Sequence, residues 1–272
     1  MRARVYFKSI RLLGRSIGRR ILDYEHELFM AVPPRHDDLY IVSFPKSGAT
    51  WMNFLMANVQ IMMSGSDRLV TFFNVHDFVP DIHVTRNIGN TKFSFPGYRV
   101  IKSHAEYNPY YQKVIYVVRD PRDTLISYYH FLRGLSRFDG SISKLVHSPV
   151  FGVEAWCRHL DGWHDQSRAS LSISFIRYED LIKDPRSTLN SMYALLGHVI
   201  PDRIMEAAIR LSSFDNMRAL EQSYGYGGRD ISSTLKFMRS GKSGVGKEEM
   251  SAEDLAYIEQ VAMKWLTRFD YK

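Results

Sequence analysis

The sequence predicts a single α/β domain with a central parallel sheet flanked by helices. Three observations carry that expectation. Short apolar runs rich in Val, Ile and Tyr alternate with longer segments of helical period along the 272 residues. The runs are apolar almost throughout, the pattern of strands covered on both faces. A loop carrying Lys, Ser and Gly follows the first run and opens a helix, a junction that gathers backbone N–H groups at one point.

Taken in order, residues 4–24 read as an amphipathic helix. Ile10, Leu13, Ile17, Ile21 and Tyr24 recur at i+3 or i+4, and so do Arg4, Lys8, Arg11, Arg15 and Arg19. At ~100° per residue the two stripes fall on nearly opposite faces. Such a helix either lies on an anionic membrane surface, apolar side down, or docks that side on the domain. Pro33 and Pro34 end it, which divides the chain into a basic segment 1–32 and a domain 33–272. Strands are expected at residues 39–44, 98–104, 114–118 and 173–176. Helices are expected at 50–63, 123–131, 153–167, 186–197, 201–211 and 251–266. Residues 222–247, rich in Gly, Ser and Lys, read as a long mobile loop, a length often used for a lid.

Composition excludes several classes. Of 36 Lys and Arg, seven stand in the first 22 residues with no acid among them, and the other 29 balance the 29 Asp and Glu. The basic excess is therefore N-terminal, and no basic face for nucleic acid is predicted on the domain. The lone Cys157 leaves no disulfide framework, which suits a reducing cytoplasm. No run of about 18 apolar residues is present to span a bilayer. The expected location is cytoplasmic, with peripheral membrane contact through residues 4–24 as the added option.

The motifs are more specific. Ser43-Phe44-Pro45-Lys46-Ser47-Gly48-Ala49-Thr50-Trp51 joins the first strand to its helix. Gly48 lets the backbone approach a ligand, Ser47 and Thr50 add hydroxyl donors, and Lys46 adds a cation. It is not a Walker A loop, because Gly241-Lys242-Ser243 has Lys236 where the first Gly should stand. In Arg119-Asp120-Pro121, Arg119 leaves a strand end and Pro121 starts a helix that carries Ser127 about two turns in. A guanidinium and a hydroxyl can then share one phosphate.

These segments closely resemble the 5′-phosphosulfate loop and the 3′-phosphate motif of the cytosolic-type sulfotransferases, which use 3′-phosphoadenosine-5′-phosphosulfate (PAPS) and release PAP. The resemblance covers about residues 38–245 and implies a P-loop-like nucleotide-binding core. It implies that Lys46, Ser47, Gly48, Ala49, Thr50 and Trp51 hold the 5′ end, with Trp51 on the adenine; the family usually has Thr at Ala49. Arg119 and Ser127 would hold the 3′-phosphate. Tyr178, in Tyr178-Glu179-Asp180, would contact the nucleotide, and Ser212 and Phe214 would cradle adenine. Arg239-Ser240-Gly241 is similar to the family's Arg-Lys-Gly clamp, with Ser240 in place of Lys. The family's C-terminal dimerisation motif is not recognisable, which leaves the oligomeric state open.

Sulfuryl transfer asks the protein mainly for positioning and charge stabilisation. Lys102-Ser103-His104 resembles the family's Lys-Thr-His, whose His takes the acceptor's proton. A neutral imidazole suits that role, and Glu106 is the second candidate. Lys46 would stabilise the leaving phosphate oxygen, with Ser127 holding Lys46 beforehand. No His or Cys cluster has metal-ligand spacing, so no metal is expected. The acceptor bears a hydroxyl or amine. Residues 65–96 and 132–150 should line its pocket, with Phe72, Phe73, Phe78, Phe93 and Phe95 giving an apolar approach. His76, His83 and His159 read as structural or exposed, His76 also as a pocket residue. Two other readings compete. A nucleotide kinase is disfavoured by the missing Walker A order, and a catalytically idle nucleotide-binding protein docking on membranes by the presence of both Lys46 and His104.

Overall fold

The structure is a computed structural model that describes residues 34–83, 88, 97–164, 172–225, 237–239 and 241–271. The helix expected at 4–24, the boundary at 32/33, Phe93, Phe95, Ser240 and residues 226–236 of the expected loop lie outside the described residues.

Four strands form one parallel sheet in the order β2-β1-β3-β4: β1 (Asp38–Val42), β2 (Arg99–Ser103), β3 (Lys113–Val118) and β4 (Ser172–Arg177). Successive strand residues point to opposite faces. Tyr40, Val42, Ile101, Val114, Tyr116 and Val118 enter one core cluster, and Leu39, Ile41, Val100, Ile115 and Val117 enter the other. Both faces are thus buried, which is why the strands read as continuous apolar runs. At the amino end Asp38 and Arg99, in register, form a buried bidentate pair with N···O distances of 2.6 and 2.8 Å. Tyr40 also donates to Asp38.

The helices fall at or near their expected places. They include α1 (Ala49–Met63), α2 (Val75–Phe78), α3 (Pro121–Gly134), α4 (Ile142–Val146), α5 (Val153–His164), α6 (Tyr178–Lys183), α7 (Pro185–Leu195), α8 (Asp202–Leu211), α9 (Phe214–Tyr224), α10 (Gly246–Glu249) and α11 (Ala252–Arg268). Side-chain caps set several starts: Asp120 accepts from Arg122 N, Ser213 from Asn216 N and Ser251 from Asp254 N. α2, α4, α6, α9 and α10 were not anticipated. Four of these five have six residues or fewer, too short for a helical period to register.

Two expectations are corrected. The loop expected from residue 222 begins after Tyr224, and its far end is fastened, because Asp123 accepts from Gly244 N and Gly246 N at 2.8 Å each. Phe72 and Phe78 belong to the core on the α1 side and are 4% and 0% exposed, so they do not line an open pocket; Phe73 is exposed. Their apolar character drives them inward against Phe54 and its neighbours.

The topology fixes where a ligand can lie. From β1 the chain crosses to β2 on one side, and from β3 it crosses to β4 on the other. The crevice at the carboxyl ends of β1 and β3 is the point where the winding reverses, the usual ligand position in an open parallel sheet. The loops after β1 and β3 carry the segments 43–51 and 119–127 singled out in the sequence.

Candidate functional site: a glycine turn and a buried arginine beside a histidine

The loop after β1 turns sharply. Lys46 has φ 70° and Gly48 φ 104°, both left-handed. For Gly48 the reason is double, because a Cβ there would also run into the ring of Tyr178. Tyr178, first residue of α6, therefore fits under the loop only because position 48 is glycine. Trp51 meets the same ring edge-on at 5.7 Å, and the Arg119 guanidinium covers it at 4.4 Å. Three segments from distant parts of the sequence converge on one ring.

Arg119 is buried at the end of β3. It donates to Lys242 O at 3.1 Å and lies 3.7 Å from Asp123. Gly241, with φ 63°, leaves room for the Phe214 ring, into which a Cβ would run. Ser212 is buried and accepts from Asn58 Nδ2 at 3.0 Å. Arg239 pairs with Glu249 at 2.7 Å, and Glu249 also meets His130 Nε2 at 2.6 Å. Ala49 is buried and Thr50 half-buried at the start of α1. Ser47 Oγ, Trp51 Nε1 and Arg119 Nε are buried without hydrogen-bond partners among the described residues. A buried donor left unpaired costs about 1–3 kcal/mol. Three of them around one loop fit a ligand rich in oxygen acceptors.

The Lys46 ammonium lies over two rings, 3.7 Å from the centre of Phe237 and 4.4 Å from that of Phe131. Ser127 lies half-buried on α3, and no hydrogen bond joins it to Lys46. The expectation that Ser127 holds the lysine therefore gives way to a cation–π grip, since two aromatic faces reach the ammonium first. Burial pushes Lys46 down to about 7, with Lys102, Arg119 and Arg239 adding repulsion and Glu221 opposing. Glu221 also accepts from Phe237 N and Met238 N at 2.6 and 2.9 Å, which fixes the segment carrying that ring.

His104 stands one residue past β2. Its Nδ1–H donates to Ser43 O at 2.8 Å, which leaves Nε2 with the lone pair. Burial, then the nearby Lys102 charge, holds this imidazole well below its ordinary value. Its backbone N–H donates to His83 Nε2 at 2.9 Å, and its carbonyl meets His159 Nε2 at 3.3 Å. Lys102 pairs with Asp81 at 2.7 Å, both largely buried. Glu106 is exposed. His83 and His159 are neither exposed nor remote, and sequence reading missed their link to His104. It also missed Asp81, 21 residues from its partner Lys102. The nearest sequence signal for this group was the Lys-Ser-His triplet itself.

Fold and site together define an α/β enzyme core of the nucleotide-binding kind, with an imidazole beside the glycine turn that follows β1. The sequence profile of the sulfotransferase domain matches residues 36–270, and the chain belongs to that family and is a sulfotransferase. Among its relatives are the amine sulfotransferase of Oryctolagus cuniculus, 27% identical over 88% of this chain and 83% of the relative, and sulfotransferase 2A2 of Mus musculus, 26% identical over 97% and 95%. A mouse sulfotransferase complexed with PAP shares the fold with a TM-score of 0.66 at 20% identity, over 89% of this chain and 88% of the other. No described helix is long and apolar enough to cross a membrane.

Proposed function

We infer that the chain transfers a sulfuryl group from PAPS to a hydroxyl or amine of a small acceptor. The observation that carries the donor assignment is the set of three unpaired buried groups, Ser47 Oγ, Trp51 Nε1 and Arg119 Nε, around a loop that only glycine can form. PAPS supplies an activated sulfuryl group. Ser47, Thr50 and the start of α1 receive the 5′ end, Arg119, Ser127, Arg239, Ser240 and Gly241 the 3′-phosphate, and Trp51, Tyr178, Ser212 and Phe214 the adenine. The PAP held by the mouse sulfotransferase of the same fold supports this reading.

His104 takes the acceptor's proton at Nε2. Its depressed basicity keeps the ring neutral at working pH, and the Ser43 bond fixes the needed tautomer. Lys46 leaves its two rings to meet the developing charge on the leaving oxygen. The exposed Glu106, which makes no described hydrogen bond, fits the base role less well. Relatives named for amine, hydroxysteroid and flavonol acceptors support a small, largely apolar acceptor. The basic segment 1–32 is proposed to give salt-sensitive contact with anionic membrane, about 1 kcal/mol per basic residue.

Calorimetry tests the donor assignment. PAP should bind and ATP bind far more weakly, and Arg119→Ala should lower PAP affinity by about 1.5–3 kcal/mol, the worth of a hydrogen bond to a charged group. Equal affinity for ATP and PAP would overturn it. Vesicle co-sedimentation tests the segment: the full chain should pellet with anionic vesicles at low salt and a chain starting at Asp37 should not.

A further inference from the structure

We propose that His83 is a positioning residue for His104, its imidazole standing in for a backbone carbonyl at the point where the β2 ladder stops. The proposal rests on His104 being the base.

Residues 80–83 run parallel beside β2. Asp81 bridges Lys102, Lys102 N–H donates to Pro80 O at 2.8 Å, and Ile82 N–H donates to Lys102 O at 3.0 Å. A continued ladder would bring His104 N–H to the carbonyl of residue 82. Instead the chain turns, because Asp81 Oδ1 accepts the His83 N–H at 2.9 Å. His83 Nε2 then accepts the His104 N–H at 2.9 Å. The other Asp81 oxygen takes Lys102 Nζ, which pins the turn to the strand that ends at His104.

The opposite side of His104 is held too. His159 Nε2 faces the His104 carbonyl, and the Tyr116 hydroxyl lies 2.7 Å from His159 Nδ1. With the ring Nδ1 on Ser43 O, the base is tied at its N–H, its carbonyl and its ring. Two of these ties run through imidazoles that titrate, and the one through His83 is the one that protonation would break, because its ring nitrogen accepts the His104 N–H whereas His159 Nε2 faces a carbonyl. Among the described residues, the charged and titratable groups facing His83 are Asp81 on its own turn, which favours charging, Lys102 and His104 from the strand end, and His159 from α5. Burial is the largest effect and keeps His83 below its ordinary value, so its lone pair is available at neutral pH. A protonated His83 would set one N–H against another and release the His104 peptide. A misplacement of about 1 Å at a reacting group can cost about 10²-fold in rate.

The test compares His83→Ala with His83→Gln, whose amide oxygen reaches to about where Nε2 lies. The readouts are kcat with labelled PAPS, PAP affinity and the acid limb of kcat against pH. His83→Ala should lower kcat about 10-fold or more while PAP affinity is held, and His83→Gln should restore most of the loss. The acid limb should become shallower in His83→Gln, because one disabling protonation is gone. Wild-type kcat in His83→Ala, or alanine and glutamine variants that bind PAP and are equally slow, would overturn the proposal. If the alanine variant does not fold, the glutamine variant decides: near-wild-type kcat with a shallower limb supports it, and an unchanged limb overturns it. His104→Ala separates the two levels. If it is slow while His83→Ala is normal, only the positioning role fails; if it turns over normally, the base assignment fails as well.

Discussion

The donor side and the base side of this site are built by different means. Around the donor loop, residues adjacent in sequence act together: Ser43 to Trp51 form one turn, Arg119 to Ser127 one strand–helix junction. The demands are backbone demands, a left-handed Gly48 over Tyr178 and a left-handed Gly241 over Phe214. Around His104 the partners come from three separate places. Ser43, the turn that carries Asp81 and His83, and His159 meet the strand end at Lys102 and His104 only in the folded chain. A contiguous motif can be recognised in a sequence, whereas a network closed by side chains from different loops cannot.

The largest expected effect separates the two sides. His104→Ala should lower kcat by about 10²–10⁴-fold and leave PAP affinity nearly intact, since a base acts on the acceptor rather than on the nucleotide. Gly48→Ala should do the reverse, weakening PAP binding by about 10-fold or more through strain at φ 104° and collision with Tyr178, measured by titration. If both variants fall equally in PAP affinity, the two sides are one unit and the contrast fails.

Next comes stability against pH. His83, His104 and His159 all have folded values below the ordinary ~6.5, His159 at about 4. The unfolded chain binds more protons than the folded one between those values. Their stabilisation is therefore complete above ~6.5 and is lost as pH falls through the folded values. For buried His159 alone the loss is on the order of 3 kcal/mol. Asp81, held low by Lys102 against its burial, contributes above the usual carboxylate range and adds to the loss at lower pH. Urea midpoints should stay level from pH 7.5 to about 6.5 and fall from there to pH 4.5, and a flat profile throughout would mean that the base side is not buried in this way.

A smaller effect sharpens the donor side. Lys46, at about 7, is largely uncharged at pH 8, and an anionic ligand drawn to it should raise it again. PAP binding at pH 8 should take up a fraction of a proton, read as a dependence of binding enthalpy on buffer ionisation enthalpy. Lys46→Ala should abolish that dependence.

The parallel sheet was legible because its strands are buried on both faces and so are continuously apolar. The order β2-β1-β3-β4 was not, since crossovers leave no local mark in sequence. Lys46, Gly48, Arg119 and Tyr178 were legible as motif members. The rings of Phe131 and Phe237 around Lys46 were not, because they lie 85 and 191 residues away. Phe72 and Phe78 misled for the opposite reason: aromatic residues next to an expected pocket are equally good core residues, and burial decides.

Sulfuryl transfer itself is the most direct test. Labelled PAPS should be turned over with at least one small amine, phenol or steroid alcohol. Lys46→Ala and His104→Ala should each reduce turnover by about 10²-fold or more, with PAP still bound by the His104 variant. Wild-type turnover in His104→Ala, together with loss of activity in Glu106→Gln, would contradict the account.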